Sequence, residues 1–284
     1  MPAVLASLLR SKGRDEMGWL AGKRALVLGA SSRDNMGRHI ARRLLDEGAS
    51  VLVSGGKKGV LADFAIRNGC TWESCDVTDQ ASVDALADTA AAALGAIDIA
   101  VSATGWGLLK PFLETTHDEL MAMTMLQYVG PFHFCQAMVG KMMRSAAGQG
   151  GSIVQISSAT ATIMLNDHAA YMGTKAGTNH VIRCVAHEYG QEGIRANSIL
   201  PGLTETPMTA EAGQVSGLFD AFLAGYPLGR IGTSDDIAAA VVWLASDECF
   251  MTGENLQVNG GLTLRRNPMK SEIDAAVAAA TASP

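Results

Sequence analysis

The sequence of 284 residues carries no excess of basic charge, no paired-cysteine metal motif, no long apolar run and no linker. Each absence removes a class of function. Lys and Arg number 22 against 28 Asp and Glu, a formal net charge of -6. Proteins that grip a phosphate backbone concentrate cations to release counterions, so nucleic acid is not an expected partner. The five cysteines, Cys70, Cys75, Cys135, Cys184 and Cys249, are odd in number. They form no CxxC and have no histidine at zinc-ligand spacing, so they read as reduced thiols of a cytoplasmic protein, and no metal is expected. No stretch approaches the ~20 apolar residues of a membrane span. The apolar PAVLASLL near the start has no basic segment before it and meets Arg10, Lys12 and Arg14 at once, unlike a secretory signal. A hydrophobic content of 48% suffices for a large core, and no Pro/Gly/Ser segment, charge block or repeat divides it.

What is present is an alternation of short β-branched runs and longer helix-period segments. The runs lie at 25–29, 50–54, around Trp72, and at 97–103, 151–157, 194–200 and 255–260. The intervening helical segments are 37–47, 58–68, 80–94, 117–144, 169–190 and 234–246. This pattern predicts an α/β domain with a doubly wound parallel sheet of about seven strands and helices on both faces. The runs are apolar throughout rather than alternating, as strands buried on both sides should be. The expected boundaries are an N-terminal arm at 1–16, one domain at 17–264 and a tail at 265–284, whose Ala-rich DAAVAAATASP suggests a frayed helix.

After the first run comes GASSRDNMGRHIARRLL, residues 29–45. A glycine turn between strand and helix offers free backbone N–H groups and the positive end of a helix dipole, which suits a pyrophosphate. Gly29, Ser31, Ser32, Arg33 and Gly37 are therefore candidate dinucleotide contacts. At the end of the second run, where an NAD site places a carboxylate for the ribose, stand Gly55, Gly56, Lys57 and Lys58. With Arg33 nearby, these cations suit a 2'-phosphate, so NADP is favoured and NAD stays possible.

The stretch SSATATIMLNDHAAYMGTK, residues 157–175, carries the candidate chemistry. Tyr171 and Lys175 are four residues apart and share one helix face, and Ser158 ends the preceding strand, where open parallel sheets place ligands. A phenol titrates near pH 10, so acid–base work at neutrality needs about three units of help, roughly 4 kcal/mol. The Lys175 cation has the right sign to favour the phenolate. Ser158 can hold the substrate oxygen against the tyrosine. His168, three residues before Tyr171, reads as a helix cap or surface group rather than a catalytic one.

These residues resemble the short-chain dehydrogenase/reductase family from about Met17 to Thr263. Tyr171-x-x-x-Lys175 with Ser158 matches its catalytic set. CDV with Asp76 and Val77 is similar to its adenine-contacting segment. IRANSILPGLTETPM is similar to the segment whose Pro201, Gly202, Thr204 and Thr206 would contact the nicotinamide end. The resemblance implies a Rossmann-type fold, hydride transfer between a nicotinamide cofactor and a carbonyl carbon, Tyr171 as acid/base, and Lys175 on both the phenol and the ribose. Three positions depart from the family pattern. Gly37 follows Gly29 by eight residues and His39 stands where a third glycine is usual, a spacing similar to divergent enoyl-acyl-carrier-protein reductases. SATG at 102–105 replaces N-N-A-G, keeping only Gly105 for close backbone approach. Gln127 replaces an asparagine that helps carry a proton relay through water.

The expected reaction is interconversion of a ketone and a secondary alcohol on an apolar or cyclic small molecule. Alternatives are an enoyl-thioester reductase and a non-catalytic nucleotide-binding or scaffold protein. The segment 203–226 is expected to form a mobile lid. Leu218, Phe219, Phe222 and Tyr226, with Trp106, Leu108 and Phe112, are candidates to line an apolar pocket or to be core. Small residues Gly173, Ala176 and Gly177 on the helix at 169–190 suggest subunit pairing into a dimer or tetramer, as the resemblance implies.

Overall fold

The structure, a computed structural model, describes residues 18–144 and 148–282. The expected arm at 1–16 lies outside them. Seven strands form one parallel sheet in the order β3-β2-β1-β4-β5-β6-β9. They are β1 (Arg24–Leu28), β2 (Ser50–Gly55), β3 (Thr71–Ser74), β4 (Ile99–Ser102), β5 (Gly151–Ile156), β6 (Ile194–Pro201) and β9 (Asn255–Val258). The helices between them are α1 (Met36–Asp46), α2 (Lys58–Asn68), α3 (Gln80–Leu94), α4 (His117–Thr124), α5 (Gly130–Met142) and α6 (Ala169–Tyr189). Beyond β6 follow α7 (Ala210–Gly213), α8 (Leu218–Leu223) and α9 (Ser234–Ala245), and after β9 comes α10 (Lys270–Ala282). A two-stranded ribbon pairs β7 (Thr204–Glu205) with β8 (Gly232–Thr233) and has no counterpart in the sequence pattern.

Burial explains the continuous apolar runs. Every residue of β4 is buried, as are all of β1, β5 and β6 apart from one partly exposed residue each, because helices cover both faces. On one face Ile40 and Leu44 of α1 and Val241 of α9 pack on Val27, Val101 and Ile199. On the other, Leu86 of α3, Phe134 and Met138 of α5 and Ile182 of α6 pack on Leu26, Ala100 and Ile153. The edge strands β3 and β9 are the least covered.

The sequence order reverses between β1 and its neighbour β4, so a crevice opens beyond the carboxyl ends of these strands. Gly29 continues β1 and Ala103 continues β4. A Cβ on Gly29 would come within 2.6 Å of the Ala103 carbonyl carbon, so only glycine allows the chains to close there.

The segment 117–144 is one helical run with a defect. Between α4 and α5 the backbone widens into a π-turn over Met125–Val129. Pro131 has no N–H to offer the Gln127 carbonyl four residues back. The Thr178 hydroxyl of α6 donates to that carbonyl instead, at 2.6 Å. The tail, expected to be a frayed helix, is the regular helix α10, with Ile273 packed against the cluster of Phe222, Tyr226 and Leu262.

Candidate active site

A cavity of about 1630 Å³ opens at the reversal point. It exceeds the roughly 300–1,000 Å³ of a pocket for one small ligand, so it has room for two molecules end to end.

One end is the glycine turn. Asn35 caps α1, its Oδ1 accepting from the Arg38 N–H at 3.1 Å, while its Nδ2 donates to the Gly29 carbonyl at 2.7 Å. A Cβ on Gly37 would lie 2.4 Å from that same carbonyl, so the helix starts pressed against the strand end. Gly29, Ser31 and Ser32 line the cavity, whereas Gly37 shapes it from behind. Arg33 is exposed at the turn's tip and lines nothing. His39, at the position of the missing third glycine, faces away from the turn and pairs its Nδ1 with Asp235 of α9 at 2.8 Å. Arg38, passed over in the sequence, ties the turn to α2 by donating to the Ala30 carbonyl at 3.1 Å and stacking 5.0 Å over Phe64.

The end of β2 sits close by. A Cβ on Gly55 would meet the Ser31 hydroxyl at 2.7 Å. Lys58, rather than Lys57, reaches the cavity wall. It opens α2, a helix with no acidic residue in its first turn and no side chain capping it. Asp76 and Val77 also line the cavity. The Asp76 carboxylate accepts from the Thr78 hydroxyl and N–H, which hold it below its usual range.

At the centre the sheet and α6 bring Ser158, Tyr171 and Lys175 to one wall. Ser158 caps a short 3₁₀ turn, its Oγ accepting from the Thr160 N–H at 3.2 Å and sharing a hydrogen bond with the Thr160 hydroxyl at 2.8 Å. Lys175, only 3% exposed, donates from Nζ to the Ile156 carbonyl at 3.0 Å and lies 5.6 Å from the Tyr171 ring centre. The protonation balance differs from the expected one. Burial raises the phenol above its usual value, against a smaller lowering by Ser158. Burial also pushes the Lys175 ammonium down to about 8. Without a ligand, then, Tyr171 is a neutral phenol at pH 7 and Lys175 has no carboxylate partner.

Gln127 is 1% exposed and does not line the cavity. Its side-chain oxygen has no partner and lies where a Cβ on Gly105 would sit 3.3 Å from it and 3.7 Å from Lys175 Nζ. Gly105 itself lines the cavity. Ser102 stands at the first of the two asparagine positions and Thr104 at the alanine position, and both hydroxyls, Ser102 Oγ and Thr104 Oγ1, are buried without partners.

His168 is neither a cap nor a surface group. It precedes α6 without capping it, lines the cavity, and stacks 4.5 Å from Tyr171. Burial lowers its pKa, against a hydrogen bond to the Leu108 carbonyl that raises it. Its position three residues before Tyr171 was the signal available in the sequence.

Pro201, Gly202, Thr204 and Thr206 form the next wall. Thr209 joins them, its hydroxyl donating to the Thr204 carbonyl at 2.7 Å. Of the apolar lining candidates, Leu218 and Phe222 reach the cavity, and Phe219, Tyr226, Trp106, Leu108 and Phe112 do not. Tyr226 is 3% exposed and takes a core position against Gly202. Phe112 points to solvent at 76% exposure.

The residues fit a nicotinamide dinucleotide. The backbone cradle of Gly29 and Gly37 tolerates no side chain, and the orphaned Thr104 hydroxyl and the Lys175 ammonium, which has no carboxylate partner, belong to residues lining the same cavity. Among the described residues, no group of His, Cys, Asp and Glu could hold a metal ion.

Comparison with known proteins agrees with this geometry. A family profile described as "Enoyl-(Acyl carrier protein) reductase" matches residues 29–263. The chain is 37% identical over 252 residues to D-threitol dehydrogenase of Mycolicibacterium smegmatis, covering 87% of this chain and 95% of that one. It is 31% identical to 3beta-hydroxysteroid dehydrogenase 1 of Eggerthella lenta, covering 86% and 95%. Among solved structures, a short-chain type dehydrogenase/reductase from Mycobacterium ulcerans superposes with a TM-score of 0.84 at 26% identity, covering 91% of this chain and 98% of that one.

Proposed function

The chain belongs to the short-chain dehydrogenase/reductase family of oxidoreductases, and from that premise we propose that it uses NADP(H) to interconvert a ketone and a secondary alcohol. The observation that carries the reading is the gathering of Ser158, Tyr171 and Lys175 on one cavity wall, with the Lys175 ammonium 5.6 Å from the Tyr171 ring centre. Both named relatives are dehydrogenases of alcohols, one of a polyol and one of a hydroxysteroid.

The nicotinamide, when bound, supplies or receives the hydride. The protein's own groups handle the proton. Ser158 and Tyr171 share that wall, and their hydroxyls can both donate to a carbonyl oxygen bound against it, polarising it. The neutral phenol is the form reduction needs, because it gives its proton to the oxygen that gains negative charge. Lys175 contributes a positive charge that stabilises the phenolate left behind, and its donors not taken by the Ile156 carbonyl suit ribose hydroxyls. Gln127 supports Lys175 from behind and is proposed to hold a relay water with its partnerless oxygen. Oxidation needs the phenolate instead, and the Lys175 charge stabilises that form.

The NADP preference rests on Lys58 and the uncapped start of α2, both beside the end of β2 where a carboxylate is missing. A 2'-phosphate would meet a cation and free backbone N–H groups there. Homo-oligomerisation is supported by apolar side chains left uncovered on one flank, Leu120 and Met121 of α4 with Tyr128 and Phe132, next to Gly173 and Ala176 of α6. Gly177, by contrast, faces the Tyr128 ring rather than open space. A cytoplasmic site is proposed from five free thiols, and no helix of the described residues is long and apolar enough to cross a membrane.

A second reading, reduction of an enoyl thioester, is favoured by the profile's description and by the eight-residue Gly29 to Gly37 spacing. The deciding experiment is oxidation of NADPH and NADH against ketones, β-keto thioesters and enoyl thioesters, with wild type and Tyr171→Phe. Ketone reduction that falls at least a hundredfold in the variant supports the first reading. Turnover of enoyl thioesters alone supports the second, and tight NADPH binding with no turnover and no effect of Tyr171→Phe overturns both.

A further inference from the structure

The family profile ends at residue 263, and the helix after it belongs to the cavity. Lys270, Ile273, Asp274, Val277 and Ala278 of α10 line the same space as Tyr171. The helix is not an appendage lying loose on the surface. Residues 273, 276, 277 and 280, the partly buried ones of its middle and end, recur at i, i+3, i+4 and i+7 and form one stripe facing the domain. Ile273 joins the cluster of Phe222, Tyr226 and Leu262, with Leu165 and Leu218 packed on it. Gly217, before α8, presses on the Ala276 carbonyl, where a Cβ would come within 2.4 Å.

The start of α10 is fastened to the loop that leads into Tyr171. Asn267, 4% exposed, donates from Nδ2 to the Met164 carbonyl at 3.0 Å, and the Lys270 N–H donates to Asn166 Oδ1 at 3.2 Å. Glu272 closes the first turn by accepting from the Met269 N–H at 2.7 Å and pairing with Arg266 through both carboxylate oxygens. The two charged side chains that α10 gives to the cavity, Lys270 and Asp274, stand 3.7 Å apart as a matched pair, so this wall offers no net charge to a ligand. Leu165, Leu218 and Phe222, packed with Ile273, add apolar lining, and Asn166, Asn267 and Glu211 line the cavity as well.

We propose that α10 is the specificity-determining wall of the substrate pocket, with Ile273 and Val277 contacting the body of the substrate, and that the substrate is a neutral alcohol or ketone with an apolar chain or ring extending several carbons from the reacting centre. This rests on the ketone and alcohol reading for the identity of the reacting group, but not for the wall itself. Each methylene laid against Ile273 and Val277 is worth about 0.8 kcal/mol, about fourfold in affinity. Affinity rises with ligand length until the cavity is filled.

The test reads binding, so that it stands apart from turnover. Straight-chain secondary alcohols from butanol to octanol are titrated calorimetrically into the NADPH-loaded protein, where an alcohol has no hydride acceptor, in wild type, Val277→Trp and Ile273→Ala. No residue of α10 is fully buried, so substitutions there leave the sheet core intact, and the melting temperature and NADP affinity of each variant verify it. In wild type, octanol is expected to bind at least thirtyfold more tightly than butanol. Val277→Trp, which fills the far end, is expected to reduce that ratio at least tenfold with butanol unchanged, and Ile273→Ala to weaken octanol about tenfold. An unchanged octanol-to-butanol ratio in both variants overturns the assignment of the wall. Tighter binding of a carboxylate-ended analogue of the same length than of octanol overturns the neutral apolar class and points to Lys270. A protein that shows the length dependence but reduces no ketone keeps the wall and loses the reaction.

Discussion

Replacing Lys175 by methionine should abolish activity and make the nucleotide-free protein more stable. The side chain is 3% exposed and has no carboxylate partner, and burial lets it hold its proton only up to about 8 instead of 10.5. At about 1.4 kcal/mol per pH unit, keeping it charged in the fold at neutral pH costs on the order of 3 kcal/mol. Methionine has similar length and no charge, but it gives up the donor to the Ile156 carbonyl at 3.0 Å, which offsets about 1 kcal/mol. The net is a stabilisation of about 2 kcal/mol, or about 4–8 °C in melting temperature for a chain of this size. The pH dependence carries the diagnosis. Because the folded value lies below the unfolded one, the unfolded chain binds the extra proton between about pH 8 and 10.5, and wild type gains stability across that interval. The difference between variant and wild type should therefore be full below pH 8 and shrink to the lost hydrogen bond above 10.5. Thermal melts at several pH values, without nucleotide, measure it. A variant that melts below wild type at pH 7, or a gap constant from pH 7 to 10.5, would refute the assignment of an unpaired buried ammonium.

Three further outcomes are expected. Lys58→Glu should raise the KM for NADPH about ten- to a hundredfold, the value of about 1.5–3 kcal/mol for a hydrogen bond to a charged group, and leave NADH nearly unchanged; equal effects on both cofactors would remove Lys58 from the 2'-phosphate. Gly37→Ala places a carbon 2.4 Å from the Gly29 carbonyl, so a fluorescence titration should show NADPH binding weakened at least tenfold in a protein whose far-ultraviolet circular dichroism is unchanged. Asp98 accepts twice from the Arg24 guanidinium at the base of the sheet, and although burial pushes its carboxyl up, those bonds hold it below the usual range. Its stabilising effect is complete above the unfolded carboxylate value near 3.8 and fades as pH falls through the lower folded one, so Asp98→Asn should cost about 2 kcal/mol in urea unfolding at pH 7 and much less in acid.

Much of the architecture was legible because covered parallel strands leave an unmistakable mark. Residues 151–156 and 194–201 are apolar or small at nearly every position, and the observed strands fall within a residue or two of the expected runs. That Tyr171 and Lys175 would share one cavity wall was legible for a similar reason, since a spacing of four on a helix leaves little freedom for the pair. What escaped depends on direction rather than spacing. Lys57, Lys58 and Arg33 are equivalent as letters, yet only Lys58 reaches the cavity, because the start of α2 turns its neighbour away. The lid aromatics fared alike, with Tyr226 drawn inward by Gly202 and Phe112 turned to solvent. The π-turn could have been anticipated from Pro131, whose missing donor falls on Gln127. The pocket-facing helix α10 could not, because a stripe of three alanine-sized or aliphatic residues around Ile273 is too weak a signal in an alanine-rich segment.

The bond between Asn35 and the Gly29 carbonyl has a consequence for how such sequences are catalogued. It fastens the turn at both ends, so the distance between the first glycine and the start of α1 is fixed by a hydrogen bond and not by the number of residues in between. Arg33 and Asp34 bulge outward from that clasp, with Asp34 in a left-handed conformation at φ 53°. Residues can be inserted or exchanged at this tip over evolution without moving the nucleotide cradle. Search patterns that count residues between glycines will overlook chains built this way, and patterns that look for the clasp will find them.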